Sequence, residues 1–426
     1  MMLKRHSYWV VLIWMLVIFV LPLPFLQTLQ TGLNGMVGVA WLPIAAGMIA
    51  YVWMLTSIYI ATRPKWLDRT IGLPAAYQLH GIISLAAILL AFLHLEGSHS
   101  QGWIKLTGFW AFYLMLGVAA YSMIFMAGWL TSRVRWLATI KHALEKVFRH
   151  EISIWLHRLN LIATLLVFVH VWLITYIRAI TPFMILFTVA TVFVFGAYAY
   201  YQYQSHLGQL PARLIKLTPL NDRVLELVIK LKRPIQLHSG DYIFIAFPQI
   251  TDLKELHPFS IAQIGADSQT LTLAIRQEGD FTRQLATVKP GQPLIVTGSY
   301  GLYDEIIHDQ KPQKLLLIAG GIGVVPLLSI VDRHSQIPTT FFYNAHSADG
   351  LLYEDKFKAW GKRANFQSFR QVGRFSANQV LKSLPDEHDG LLVLLAGPAP
   401  MARAWIKVLK NAGIPSHQIF YEAFNW

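Results

Sequence analysis

Apolar residues fill the first 205 positions in runs too continuous for an ordinary amphipathic helix. Six of them reach the ~20 residues needed to cross a bilayer: about 8–26, 37–61, 73–95, 106–130, 152–176 and 182–203. From about residue 206 the pattern changes. Short alternating stretches such as 242–247 and 271–275 lie between Gly/Pro turns up to about residue 305 and predict a small antiparallel β-barrel. Apolar strand-like runs at 315–319, 339–343 and 391–396 then alternate with helical patterns, as in an α/β nucleotide-binding domain. The expected division is a six-helix transmembrane domain over 1–205, a barrel over 206–305 and an α/β domain over 306–426.

Charge sharpens this division. Residues 1–205 hold 13 Lys/Arg and 4 Asp/Glu, against 23 and 19 in residues 206–426, so the first part reads as membrane protein and the second as soluble. Arg63, Lys65 and Arg69 lie between runs two and three; Arg133, Arg135, Lys141, Lys146 and Arg149 lie between runs four and five. The opposite loops offer only Lys105 and Arg178. The positive-inside rule therefore predicts a multi-pass cell-membrane protein with both termini cytoplasmic and lipid as a partner. The first run follows Lys4 and Arg5 and lacks a small-residue cleavage site after Pro22 and Pro24, so it is expected to be retained. The net charge of +13 sits mainly beside the apolar runs, and no nucleic-acid motif accompanies it, so no nucleic-acid partner is expected. Cysteine is absent. That excludes disulfides, Cys-ligated zinc or iron–sulfur clusters and thioether-attached haem.

Ionisable residues inside apolar runs are costly and usually functional. Run three carries His80 and His94, 14 residues apart; run five carries His157 and His170, 13 apart. Both runs go in the same direction, so His80 and His157 share one depth and His94 and His170 another, ~20 Å away at 1.5 Å per residue. Two imidazoles facing each other at one depth can supply both axial ligands of a haem iron. Fourteen residues return to within about 40° of the same helix face, whereas thirteen land about 140° off, so run five needs a local distortion or ligation from different sides. The bland reading is polar side chains that hydrogen-bond helices together. Arg158 is equally a propionate partner or an interface residue, and His99 is expected to be an exposed loop residue.

Three clusters follow in the soluble half. In His257-Pro258-Phe259-Ser260-Ile261, Phe259 offers an aromatic surface for a flavin ring and Ser260 a hydroxyl near its N5. In 275–282 (IRQEGDFT), Arg276 can pair with a pyrophosphate, with Gly279 and Thr282 bringing donors close. Gly298-Ser299-Tyr300-Gly301 is expected to form a tight turn ending the barrel. Downstream, Gly320-Gly321-Ile322-Gly323 lies at a strand-to-helix turn suited to a diphosphate, and Gly397-Pro398 follows another apolar strand. Phe424 near the end could cover the flavin.

Together these residues resemble the transmembrane NADPH oxidase and ferric reductase superfamily, as seen in bacterial oxidase-like enzymes, over nearly the whole chain. The resemblance implies an α-helical membrane bundle followed by a ferredoxin-reductase-like module, an FAD-binding barrel plus an NAD(P)H-binding α/β domain. It implies two haem b groups, with metal ligands His80 and His157 for one and His94 and His170 for the other. His257, Pro258, Phe259, Ser260, Arg276, Gly279 and Thr282 would hold FAD, and Gly320, Gly321, Gly323, Gly397 and Pro398 would shape the nicotinamide-nucleotide site. Ser260 and Phe424 would take the catalytic places beside the flavin. Ala396 and Val325 stand where many relatives carry Cys and Thr. The expected activity is electron transfer from cytosolic NAD(P)H through FAD and the haems to O2 outside, giving superoxide, without an obligatory regulatory subunit. The alternatives are a ferric-chelate reductase with the same path and a haem-free, membrane-anchored flavin reductase. The polar segment 343–347, without an adjacent acidic residue, leans towards NADPH over NADH, with Ser347 or Arg374 near a 2′-phosphate.

Overall fold

The computed structural model describes residues 7–34, 41–125, 155–207, 209–384 and 388–422. Phe424, Lys4, Arg5 and the basic residues Arg133, Arg135, Lys141, Lys146 and Arg149 lie outside the described residues. The chain divides into two compact units: one contains Val10–Pro64 and Ala75–Tyr203, the other Met1–Trp9, Lys65–Pro74 and Gln204–Trp426.

The first unit is helical. Its described helices are α1 (Ser7–Met15), α2 (Leu23–Leu33), α3 (Trp41–Ala61), α5 (Leu73–Gly97), α6 (Gly102–Phe125), α7 (Leu159–Leu173), α8 (Thr175–Arg178) and α9 (Thr181–Leu207), while α4 (Lys65–Ile71) falls in the second unit. Among the described residues, six helical stretches are long and apolar enough to cross a membrane. The first reaches Leu33, further than the apolar run indicates, because a π-turn at Leu16–Val20 lets the helix pass Pro22 and Pro24. Leu21 N–H donates five residues back to Leu16 O at 2.9 Å, which accommodates prolines that cannot donate. Many large apolar side chains stay on the surface, among them Leu89, Trp110, Ile185 and Phe193. Inside, Ala50, Ala87, Ala111 and Ala163, one from each of α3, α5, α6 and α7, pack with Met54 and Met115. Small residues let helix backbones approach closely. Tyr51 and Thr191 share a buried 2.9 Å hydrogen bond between α3 and α9.

The second unit starts with a closed six-stranded barrel in the order β1-β2-β5-β4-β3-β6, all neighbours antiparallel. Its strands are β1 (Leu210–Asn221), β2 (Val224–Leu231), β3 (Tyr242–Ala246), β4 (His257–Ile264), β5 (Thr270–Arg276) and β6 (Pro293–Tyr300). Alternate residues such as Leu227, Ile229, Ile243, Ile245, Leu271 and Leu273 point inward and are fully buried. A parallel sheet follows, with β7 (Lys314–Gly320), β8 (Thr339–Ala345), β9 (Phe366–Val372), β10 (Leu391–Ala396) and β11 (Ile419–Glu422) in the order β11-β10-β7-β8-β9. Every residue of β10 is buried, as expected of a central parallel strand covered on both faces. The helices of this unit are α10 (Asp280–Gln284), α11 (Tyr303–Gln310), α12 (Val324–Arg333), α13 (Glu354–Trp360), α14 (Ala377–Leu381) and α15 (Ala399–Asn411).

One segment departs from the division read in the sequence. Residues 65–74 belong with the barrel-containing unit instead of the 1–205 helical domain. Arg69 Nη1 donates to Glu305 Oε1 at 2.7 Å and to Gly301 O at 3.3 Å. Hydropathy sees only a short polar break there, and cannot see these partners more than 200 positions away.

Candidate functional site

The order of the parallel sheet places a crevice before any motif is considered. From β7 the chain moves outward through β8 and β9, then returns to the other side of β7 as β10. Ligands of open α/β sheets bind at the carboxyl ends of strands where the winding reverses. Here that point lies beyond Gly320 of β7 and Ala396 of β10, paired with Ala319 across the ladder. Gly320, Gly321, Gly323, Gly397 and Pro398 all converge on it. Gly321 has φ +57° and Gly397 φ +148°, conformations open to glycine. A Cβ at Gly323 would run into the Ala396 carbonyl, and one at Gly320 into the Met401 sulfur. Part of this glycine pattern therefore serves close packing of strand, turn and α15. Ser347 and Arg374 are exposed beyond β8 and β9.

In the barrel, β4 carries His257 to Ser260. Ser260 lies opposite Tyr242 of β3, and Tyr242 opposite Tyr300 of β6, with the two tyrosine rings stacked at 5.7 Å. Phe281 of α10 stacks on Phe259 at 5.9 Å and on the His257 ring at 4.0 Å. Phe281, buried in the barrel core, is a member of this aromatic bracket that reading the motif by itself passed over. Arg276 ends β5. Its Nη2 pairs with Glu278 Oε1 at 2.6 Å, its Nε is buried without a hydrogen-bond partner, and a Cβ at Gly321 would sit 3.8 Å from its Nη1. The guanidinium thus stands beside the glycine turn with a donor to spare, which fits a diphosphate. Thr282 turns inward: its hydroxyl donates to Gly279 O and accepts from the Glu278 and Gly279 N–H groups, all at 3.0 Å. Its hydroxyl proton shapes the Gly279 turn and is not left over for a pyrophosphate.

The same unit buries carboxyls that the sequence reading missed. Asp241 accepts the Ser299 hydroxyl and the His238 N–H, and burial pushes its pKa up to about 7. Asp304 accepts from His334 Nε2 at 2.7 Å, His238 Nδ1 at 3.2 Å and the Ser239 hydroxyl. Although burial opposes it, these donors hold the Asp304 carboxyl below the usual range. A signal for the carboxyl of Glu422 existed, an acidic residue ending the otherwise apolar strand 419–422.

In the helical unit the four histidines pair as their depths require. The His80 and His157 rings have centroids 6.0 Å apart, and those of His94 and His170 are 6.2 Å apart. A ligating imidazole nitrogen sits roughly 2 Å from a first-row metal and about 1 Å from its own ring centre, so two rings sharing one iron stand about 6 Å apart. The outer nitrogens are committed. His80 Nδ1 donates to Ser57 O at 3.0 Å, His94 Nδ1 to Pro43 O at 2.8 Å and His170 Nδ1 to Ile104 O at 2.8 Å. A carbonyl can only accept, so these bonds fix the tautomer and leave each Nε2 lone pair free. His157 Nδ1 shares a 3.0 Å bond with the Ser122 hydroxyl. The distortion needed between His157 and His170 lies at Arg158, where bonds tighten to three-residue spacing: Arg158 N to Trp155 O and Leu161 N to Arg158 O. Among the described residues no group of three or more His, Asp or Glu is arranged to hold a metal ion.

Residues 209–320 match the model of an FAD-binding domain family. Among curated proteins, the chain is 28% identical over 199 residues to a dihydroorotate dehydrogenase B (NAD(+)) electron transfer subunit from Listeria monocytogenes, covering 46% of this chain and 77% of that one. It is 32% identical over 173 residues to the Bacillus pumilus counterpart, covering 39% of this chain and 65% of the other. The second unit is an FAD-binding oxidoreductase module of the reductase type. Solved structures similar to the chain include a flavohemoglobin from Malassezia yamatoensis (TM-score 0.48, 17% identity, 94% of this chain and 99% of that one). A flavohem-like FAD/NAD-binding domain of a Vibrio cholerae nitric oxide dioxygenase is another (TM-score 0.44, 19% identity, 50% of this chain and 98% of that one).

Proposed function

We propose that this chain is a transmembrane NAD(P)H oxidase that carries electrons from cytosolic NAD(P)H through FAD and two haem b groups to O2 on the outer face, producing superoxide. The observation that carries the reading is the pair of facing imidazole couples, 6.0 and 6.2 Å apart, with their outer nitrogens already hydrogen-bonded. Chance polar pairs between helices have no reason to share that spacing and, in three of the four rings, that tautomer. The apolar side chains left on the helical surface support residence in lipid, and the asymmetry of basic loops supports cytoplasmic termini in the cell membrane. The named relatives are NAD(+)-linked electron transfer subunits, which supports a nicotinamide nucleotide as the electron source; the exposed Ser347 and Arg374 favour NADPH.

Bound FAD would accept a hydride and pass electrons on singly to the haems, a conversion that neither amino-acid side chains nor, in a chain without cysteine, an iron–sulfur cluster can supply here. The chain's own residues bind, orient and insulate. Arg276 would pair with the diphosphate, the Phe259–Phe281 pair would lie against the ring, and Ser260 would offer a hydroxyl to it. His80, His94, His157 and His170 each present Nε2, while Ser57, Pro43, Ile104 and Ser122 hold the opposite nitrogens. Ala87, Ala163 and their neighbours exclude water from the helical interior. No regulatory subunit is required by this reading.

The test is an optical spectrum of the detergent-purified full chain, reduced anaerobically with NADPH and then opened to air. A b-type haem signal that appears, then bleaches with superoxide release, is expected. FAD without haem would overturn the reading and leave a membrane-anchored flavin reductase. A reduced haem that ignores air but reacts with a ferric chelate would make the acceptor a metal.

A further inference from the structure

In the barrel-containing unit, a cavity of about 10 Å³ is closed by Asp68, Gly72, Leu73 and Pro74 on one side and by Tyr242, Gly301, Leu302 and Glu422 on the other. That is room for a single water. Two carboxyls face it. Asp68 is 2% exposed and Glu422 5% exposed, and Glu422 Oε2 has no hydrogen-bond partner. An unpaired buried carboxylate costs several kcal/mol, so the arrangement is stable only if a proton or a polar guest answers that oxygen.

We propose that Asp68 and Glu422 form a proton-binding site, one water and one proton held between two carboxyls, which makes the attachment of residues 65–74 to the barrel proton-dependent. The charged neighbours pull in both directions: Lys65 and Arg69 oppose a proton on Asp68 and Glu305 favours it, whereas Asp68 and Asp241 both favour one on Glu422. Asp68 is faced by Lys65 and Arg69 of its own helix and by Glu305 of α11; Glu422 is faced by Asp68, by Asp241 of the loop before β3 and by Tyr303 and Tyr421. Arg69, the nearest cation, is already paired with Glu305 at 2.7 Å. Burial lifts Asp68 to about 7 and pushes Glu422 well above the carboxylate range, with Asp68 and Asp241 adding to the push on Glu422. One bond opposes the proton on Asp68: its Oδ1 accepts Leu73 N–H at 3.0 Å, which stops α4 and turns the chain into α5, and such a donor favours the carboxylate, so burial has to outweigh it.

The sign follows from linkage. A carboxyl whose folded pKa lies above its unfolded value stabilises fully below about pH 4, and that contribution is lost as pH rises through about 7. The full chain in detergent should therefore lose melting temperature between pH 6 and 8, with amide exchange at Leu73 accelerating beyond the intrinsic base-catalysed rise. Asp68→Asn and Glu422→Gln, neutral isosteres, should each flatten both profiles, and FAD content should not change. Profiles in either variant that keep the wild-type slope would overturn the site. Should both variants fail to fold, wild-type protein still decides the matter: a pH-difference infrared spectrum must show carboxylic acid converting to carboxylate near neutrality, and its absence overturns the proposal.

Discussion

The two units announce their chemistry in opposite ways. In the helical unit almost every position is apolar, so each polar residue stands out, and four histidines matched by depth were visible from spacing. In the FAD-binding unit polar residues are common, and the site is legible only where several sit in one contiguous motif. Background decides which signals can be read: a rare event in a uniform medium is informative by itself, whereas a serine or aspartate in a soluble domain has many structural uses.

The largest expected effect tests the helical side. His170→Ala should halve haem content and abolish O2 reduction while leaving NADPH-driven reduction of a soluble dye by the flavin module intact. Loss of dye reduction as well would show that the two units are not functionally separable. On the other side, Arg276→Ala removes a charged donor from the diphosphate place, a loss of about 1.5–3 kcal/mol, so FAD affinity should fall roughly 10- to 100-fold. Unchanged flavin retention on gel filtration would mean that Glu278 is the only real partner of that guanidinium. Gly323→Ala separates packing from ligand approach: overpacking against the Ala396 carbonyl should cost about 1–3 kcal/mol of stability even without nucleotide. A normal urea midpoint with weakened NADPH binding would assign that glycine to the ligand alone. The smallest effect is expected of Ser122→Ala, which removes the hydroxyl partner of His157 Nδ1. Haem should be retained, with affinity for one of the two lowered roughly ten-fold, read by titrating apoprotein; equal affinity would reduce Ser122 to a bystander.

The motif residues on β4, β5 and the β7 turn were legible for the same reason that the histidines were, namely that the chemistry sits within a few positions. Strand positions were close as well, since 315–319 and 391–396 are apolar runs bounded by glycine and became β7 and β10 with at most one residue's difference. Thr282 shows where that legibility ends. A threonine two residues past Gly-Asp suits either a ligand or a turn, and only the position of its hydroxyl, donating to Gly279 O, chose the turn.

The sequence by itself determined the apolar helices, the pairing of histidines by depth, the exclusion of cysteine chemistry and the order of barrel and α/β sheet, because these follow from periodicity, length and residue type along the chain. Tertiary structure alone decided what closes over distance. It recruited residues 65–74 to the barrel-containing unit through Arg69 and Glu305, and set Phe281 against His257 and Phe259. It tied each histidine to a carbonyl or hydroxyl on another helix, and brought Asp68 to one cavity with Glu422. Those pairings depend on burial and on partners up to hundreds of residues apart, and a carboxyl has no unusual chemistry until folding removes its water.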